Sequence, residues 1–353
     1  MPSNREYAAG QRFLLGAKNW WTRSLTDDLR REFEVARARA GGKAESVADV
    51  EGLVGSSATY RTFAFLERHL QRFKYSGRYG LQAWANERRE EITTSLGDAH
   101  LAPGILELDP DFEIPKYFRV VDIHQHAGGI WSDPIAGHVY ESGARSTTPL
   151  AGARHADLHE RFTARIVEEG LPDHVLDMGC GFGKSTGPFY RSFPGSRVEG
   201  VDIAAPCLRL AARMATDAGA TNVRFRQEDA AATSYPAGAF DLVTSTMLLH
   251  EMPPPHLKKT LTEAYRVLAP GGRMVHLDFY VLPDAFTRFL HYTHARRNNE
   301  PYMEPLAETD LAALLKEIGF RDVRIEAFAE VDGVLDPQYR SWRFPWTVIA
   351  ARK

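Results

Sequence analysis

An α/β protein is predicted, with a doubly wound, mostly parallel sheet and an antiparallel C-terminal strand pair, preceded by a mainly α-helical N-terminal region. Three observations predict it. Strand-like and helix-like runs alternate from about residue 155 onward. The stretch HVLDMGCGFGKSTG, residues 174–187, runs a buried-type strand straight into three glycines at every second position. Before residue 100, apolar residues recur at helical spacing and no strand pattern is convincing.

Composition bounds the function. At 353 residues the chain exceeds one typical domain. A hydrophobic share of 44% and a charged share of 25% are those of a globular protein. The net charge of −3 argues against a general binder of nucleic acid or membrane surfaces. No run of about 18 apolar residues offers a membrane span, and the first apolar patch is too short and polar for a secretory signal. Cys180 and Cys207 make neither a disulfide framework nor a zinc knuckle, so a reducing, cytoplasmic setting is expected.

Three segments are expected. Residues 1–116 form a helical region for substrate binding or dimerisation, on the helical spacing in NWWTRSLTDDLRREFEVARARA, TYRTFAFLERHLQRF and YGLQAWANERREEI. Residues 117–150, rich in Gly, Pro and His, form a lid-like connection. Residues 151–353 form the α/β domain. Its strands are expected at 174–179, 197–203, 223–229, 240–248 and 273–280, with helices between most of them. The late runs DVRIEAFAEV and WTVIAARK have no helix between them and are expected to pair antiparallel at an edge.

The glycine spacing excludes two phosphate-binding patterns. Gly183-Lys184-Ser185 has the end of a P-loop, but position 178 is Met where that loop needs Gly. A dinucleotide fingerprint needs a further Gly at position 184, which is Lys.

The pattern Asp177-Met-Gly-Cys-Gly-Phe-Gly183 after a strand resembles the first motif of class I S-adenosylmethionine-dependent methyltransferases, a Rossmann-like family. Four further stretches follow in order: Glu199-Gly-Val-Asp202-Ile, Gln227-Glu-Asp229-Ala230, Phe240-Asp241 through Leu249-His250-Glu251, and Arg266 through Gly271-Gly272. The resemblance spans about residues 155–353. It implies S-adenosylmethionine as cofactor, bound by Asp177, Gly179, Cys180, Gly181, Gly183, Asp202, Ile203, Asp229 and Ala230. It implies that Asp202 accepts both ribose hydroxyls and that Asp229 meets the adenine amino group. A carboxylate can accept two hydrogen bonds from a vicinal diol, which accounts for the residue type.

His250 and Glu251 are the candidates for catalysis, because they follow the strand on the rim where an acceptor meets the methyl group. His126, Tyr140 and Arg145 in the connection are candidates for holding substrate, with Tyr140 and Arg145 suited to clamping an anion. No metal is expected, because the histidines are scattered and no carboxylate-rich cluster is obvious. The expected activity is direct in-line methyl transfer to a small-molecule acceptor. Its acceptor atom is undecided among O, S, N and C. A homodimer anchored on Trp20 and Trp21 is expected, with no membrane or nucleic-acid partner. Two alternatives stand beside this: an RNA or protein methyltransferase that recognises its target through the N-terminal region, and a non-catalytic S-adenosylmethionine-binding protein.

Overall fold

Strands form where the alternation predicts them, and an eighth precedes them. They are β1 (Leu106–Glu107), β2 (His174–Met178), β3 (Arg197–Asp202), β4 (Val223–Gln227), β5 (Phe240–Thr246), β6 (Leu268–Phe279), β7 (Arg321–Ala327) and β8 (Trp346–Arg352). A computed structural model, which describes residues 5–146 and 152–353, lays them into one sheet in the order β1-β4-β3-β2-β5-β6-β8-β7. Pairings from β1 through β6 are parallel. The antiparallel C-terminal pair forms, but only β7 is an edge. β8 inserts between β6 and β7 and runs antiparallel to both, which is why it is almost wholly buried.

Side chains alternate across the sheet, so each strand feeds two cores. Val175, Leu242 and Val275 pack on one face with Phe189, Leu208 and Phe225. Their neighbours Leu176, Val243 and Met274 pack on the other with Leu257, Leu261 and Leu315. The helices Ala205–Asp217 and Pro254–Val267 cover these faces, each opening with proline in its first turn, where the lost N–H would have no partner. β1 carries no pattern of its own. It exists because the outer edge of β4 has unpaired backbone groups, and Phe225 N donates to Ile105 O at 2.8 Å.

The N-terminal region is helical, as expected: Arg5–Trp20, Thr26–Arg39, Val47–Val54, Ala58–Tyr75, Leu81–Asn86 and Arg89–Ser95. The first two are joined by a wide π-helical turn, Trp21–Leu25. These helices share a core with the α/β domain: Trp21, Leu29, Phe33 and Phe63 pack on Phe286, Phe289 and Leu290 of the helix Ala285–Asn298. Trp21 is therefore part of this core, against the expectation that it anchors an interface; Trp20 remains half-exposed. Among the described residues, no helix is long and apolar enough to cross a membrane.

The strand order reverses at β2. Strands β3 and β4 lie to one side of it and β5 and β6 to the other. That switch point opens a crevice at the carboxyl ends of β2 and β5, where ligands bind in sheets of this kind.

Candidate active site

The glycine turn lies in this crevice. Gly179, Gly181 and Gly183 adopt φ of +64°, +53° and +78°, a region that side chains disfavour. They differ in what surrounds them. A Cβ at Gly179 would stand 2.5 Å from Leu248 Cδ1, and one at Gly183 would stand 2.9 Å from Ala211 Cβ. A Cβ at Gly181 would meet nothing within 4 Å. The outer two glycines thus allow close packing, and the middle one leaves open space.

Asp202, at the end of β3, faces the turn. Its Oδ2 accepts from Gly181 N at 2.9 Å and its Oδ1 from Ala204 N at 2.8 Å. Burial raises its pKa, and these N–H donors oppose the rise. Asp177 lies beneath, fully buried, with Oδ2 accepting from Ser185 Oγ at 2.6 Å and Thr186 Oγ1 at 2.7 Å. It braces the turn against the following helix and does not line the cavity. Asp229 is oriented by His256 Nε2 at 3.0 Å and Ala231 N at 2.8 Å.

A cavity of about 360 Å³ continues from the turn into the helical region. Its wall holds a chain of alternating carboxylates and imidazoles. His250 Nδ1 is 2.5 Å from Asp278 Oδ1 and its Nε2 is 3.4 Å from Glu251 Oε1. Glu251 Oε1 meets His124 Nε2 at 3.2 Å, and His124 Nδ1 meets Glu300 Oε1 at 3.2 Å. Glu300 reaches His294 Nε2 at 3.4 Å; His294 Nδ1 reaches Glu67 Oε1 at 2.6 Å, and Arg297 closes the chain on Glu67. Burial by itself would lower His124, but Glu300 and Glu251 outweigh it and hold the ring at about 9. Burial would raise Glu251, but His124 and His250 hold it at about 2. The three imidazoles and three glutamates are thus each held toward their charged forms by a neighbour of opposite sign.

Of the residues expected to bind cofactor, Gly179, Cys180, Gly181, Asp202, Ile203, Asp229 and Ala230 line the cavity; Gly183 and Asp177 support it from behind. Glu251 and Tyr140 line it too. His250 lines it with both nitrogens engaged, and Asp278 raises its pKa well above the ordinary value despite burial. An imidazole engaged in this way at both nitrogens offers no lone pair to an acceptor, which weighs against the base role expected of it. Glu251 Oε2, by contrast, is buried without a partner. His126 is not in the wall: it packs against Tyr75 at 5.0 Å between ring centroids, and burial lowers it to about 4. His124 takes the position instead. His124 and Gln125 both have φ of +57°, so side chains there do not alternate as on a strand. Arg145 belongs to the helix Ala136–Ser146, and its side chain lies outside the described residues, as do Thr147 and Thr148.

The sequence matches the family model described as "Methyltransferase domain" over residues 175–272. It is 41% identical over 127 residues to the demethylmenaquinone methyltransferase of Thermus thermophilus, covering 35% of this chain and 56% of that one. It is 31% identical over 196 residues to "Probable methyltransferase ltbC" of Aspergillus luteorubrus, covering 51% of this chain and 68% of that one. The chain belongs to the S-adenosylmethionine-dependent methyltransferase family. The solved Haemonchus contortus phosphoethanolamine N-methyltransferase 2, in complex with S-adenosyl-L-methionine, covers 68% of the methyltransferase and 60% of its own chain, at 17% identity and a TM-score of 0.46.

The methyltransferase has residues that fit the cofactor. At Gly181 the backbone is bare and faces open space, and the adjoining Asp202 carboxylate is fixed by two donors with lone pairs to spare. What sequence reasoning missed is the opposite wall: Lys18, Glu67, Lys74, His124, His294 and Glu300. The helix Ala285–Asn298 ends on Asn299 at φ +60°, and this left-handed residue turns Glu300 inward. Gly-poor local spacing carried no signal for such a cluster.

Proposed function

We propose that the methyltransferase transfers a methyl group to a small-molecule acceptor enclosed between the glycine turn and the N-terminal helices. The observation that carries this reading is the continuity of one cavity, lined both by Gly181 and Asp202 and by Lys74, Tyr75 and His124. When bound, S-adenosylmethionine supplies a methyl group that is already electrophilic. The chain's task is then to hold a nucleophile in line, and positioning contributes about 7–11 kcal/mol in the best cases. Gly179, Gly181 and Asp202 would hold the nucleoside, with Asp229 and Ala230 toward its base.

Glu251 is the catalytic candidate that remains. Its unpartnered Oε2 would accept a hydrogen bond from the acceptor and orient it, while Oε1 stays with His124 and His250. At about 2 it is a weak base, so its main part is orientation rather than full proton removal. Tyr140 stacks 5.8 Å from His124 and meets Phe182 edge-on at 5.6 Å. These rings from residues 117–150 would keep water from the acceptor, the part expected of a lid. A concave cavity of this size, with a largely apolar wall and a few polar groups, favours a small molecule over RNA or protein.

The test is release of S-adenosylhomocysteine by the whole chain with phenols, naphthoquinols, thiols, amines and keto acids, with product mass read out. Naphthoquinols enter because the Thermus relative is named for demethylmenaquinone. Turnover of a small acceptor supports the reading. Binding of S-adenosylmethionine with no turnover across the panel favours the non-catalytic alternative.

A further inference from the structure

Lys18 and Lys74 are cavity-wall lysines with no carboxylate at ion-pair distance; Glu67 and Glu300 act on them only from farther off. Lys18 stands on the helix Arg5–Trp20 just before the π-helical turn, and Lys74 on the last turn of the helix Ala58–Tyr75. Each is only 5% exposed, and both line the cavity. Lys18 Nζ donates to Gln71 Oε1 at 3.1 Å, and Lys74 Nζ lies 4.9 Å from the centre of the Tyr75 ring. Among the described residues, neither forms an ion pair within 4.0 Å. The carboxylates nearby are already matched: Glu67, Glu251 and Glu300 are balanced by His124, His294 and Arg297, and Asp278 by His250. Two amino groups are left without a close counter-charge in a desolvated wall, where holding the charged form is costly.

We propose that Lys18 and Lys74 together seat an anionic group, a carboxylate or a phosphate, of an aromatic acceptor. This rests on the methyl-transfer reading above and names the class of acceptor. The aromatic part follows from the rest of the wall. Phe279 has Phe344 and Trp346 each at 4.5 Å between ring centroids, and all three line the same cavity with Trp342. Burial brings Lys18 to about 8; burial and then the charge of Lys18 bring Lys74 well below the ordinary lysine range. A bound anion relieves both penalties.

The experiment uses the full chain saturated with S-adenosylhomocysteine. Benzoate, 1-naphthoate and phenyl phosphate are each compared with a neutral partner: benzamide, 1-naphthamide and phenol. Thermal midpoints and calorimetric affinities are read. At least one anion is expected to bind about tenfold or more tightly than its neutral partner, the scale of a charge-assisted pair. The Lys18→Met/Lys74→Met protein is expected to lose that preference while its S-adenosylhomocysteine affinity stays within about threefold. Preference for the carboxylates or for phenyl phosphate identifies which anion the site takes. The proposal is overturned if no anion binds better than its partner, or if the double variant keeps the preference. Where the double variant does not fold, Lys74→Met alone is read in the same way. Failure of S-adenosylhomocysteine itself to bind would instead count against the cofactor reading, and the anion titrations are then repeated on the chain alone.

Discussion

His124 Nε2 lies 3.2 Å from Glu251 Oε1, joining the connection that precedes the α/β domain to the end of β5. The contact couples the end of the strand beside the glycine turn to the connection of residues 117–150. Because Glu251 Oε2 is left unpartnered, the pair presents one oriented acceptor atom to the cavity.

Replacing Glu251 by Gln weakens the charged hydrogen bond that orients the acceptor and is expected to lower turnover by about 10-fold or more, with little change in S-adenosylhomocysteine affinity. His126→Phe, behind Tyr75, is expected to keep turnover and change stability alone. Steady-state rates and calorimetry check both. Equal losses in the two variants would refute the assignment of the wall to Glu251 and His124.

Asp202→Ala removes the acceptor that faces Gly181. Hydrogen bonds to a charged group contribute roughly 1.5–3 kcal/mol each, so cofactor affinity is expected to fall by about 30-fold or more. Calorimetry with S-adenosylmethionine reads it directly, and an unchanged dissociation constant would exclude the ribose role.

Gly181→Val combines two costs. The residue sits at φ +53°, and its side chain would occupy the open space. Cofactor binding is expected to be lost. The thermal midpoint falls only modestly, since left-handed backbone costs roughly 1–2 kcal/mol. A variant that still binds would mean the cofactor does not lie along this turn.

Stability should depend on pH in both directions. His124 and His294 are held at about 9 against an ordinary 6.5. A raised value in the folded state means stabilisation that is complete below about 6.5 and is lost as pH rises through about 9. Glu251 is held at about 2 against 4.5, so its contribution is present above 4.5 and lost as pH falls toward 2. Urea midpoints are expected to decline toward both limits. His294→Gln should flatten the alkaline decline, and an alkaline slope identical to the parent's would contradict the ionised chain.

Much of the α/β half was legible because its signals are local. Asp177 to Gly183 needs a bare turn, β2 to β6 need runs of apolar residues, and Asp202 falls where β3 must end. Two local expectations met partners that lie outside their own stretch of chain. No local signal separated His126 from His124, and the left-handed backbone at His124 and Gln125 brings His124 to the cavity wall while His126 packs on Tyr75. His250 was favoured as the base because its spacing is right, while its partner Asp278 lies on another strand.

The amino-acid sequence alone determined the sheet, the glycine turn, the carboxylate at Asp202 and the family to which they belong. Those features repeat within a few residues of one another and answer to backbone geometry. Only the tertiary structure decided the opposite cavity wall, where Glu67 meets His294 and Arg297, and where Lys18 and Lys74 have no ion-pair partner among the described residues. Such a cluster is assembled from helices far apart in the chain. Its members owe their charge states to one another and to burial, neither of which exists before the helices pack.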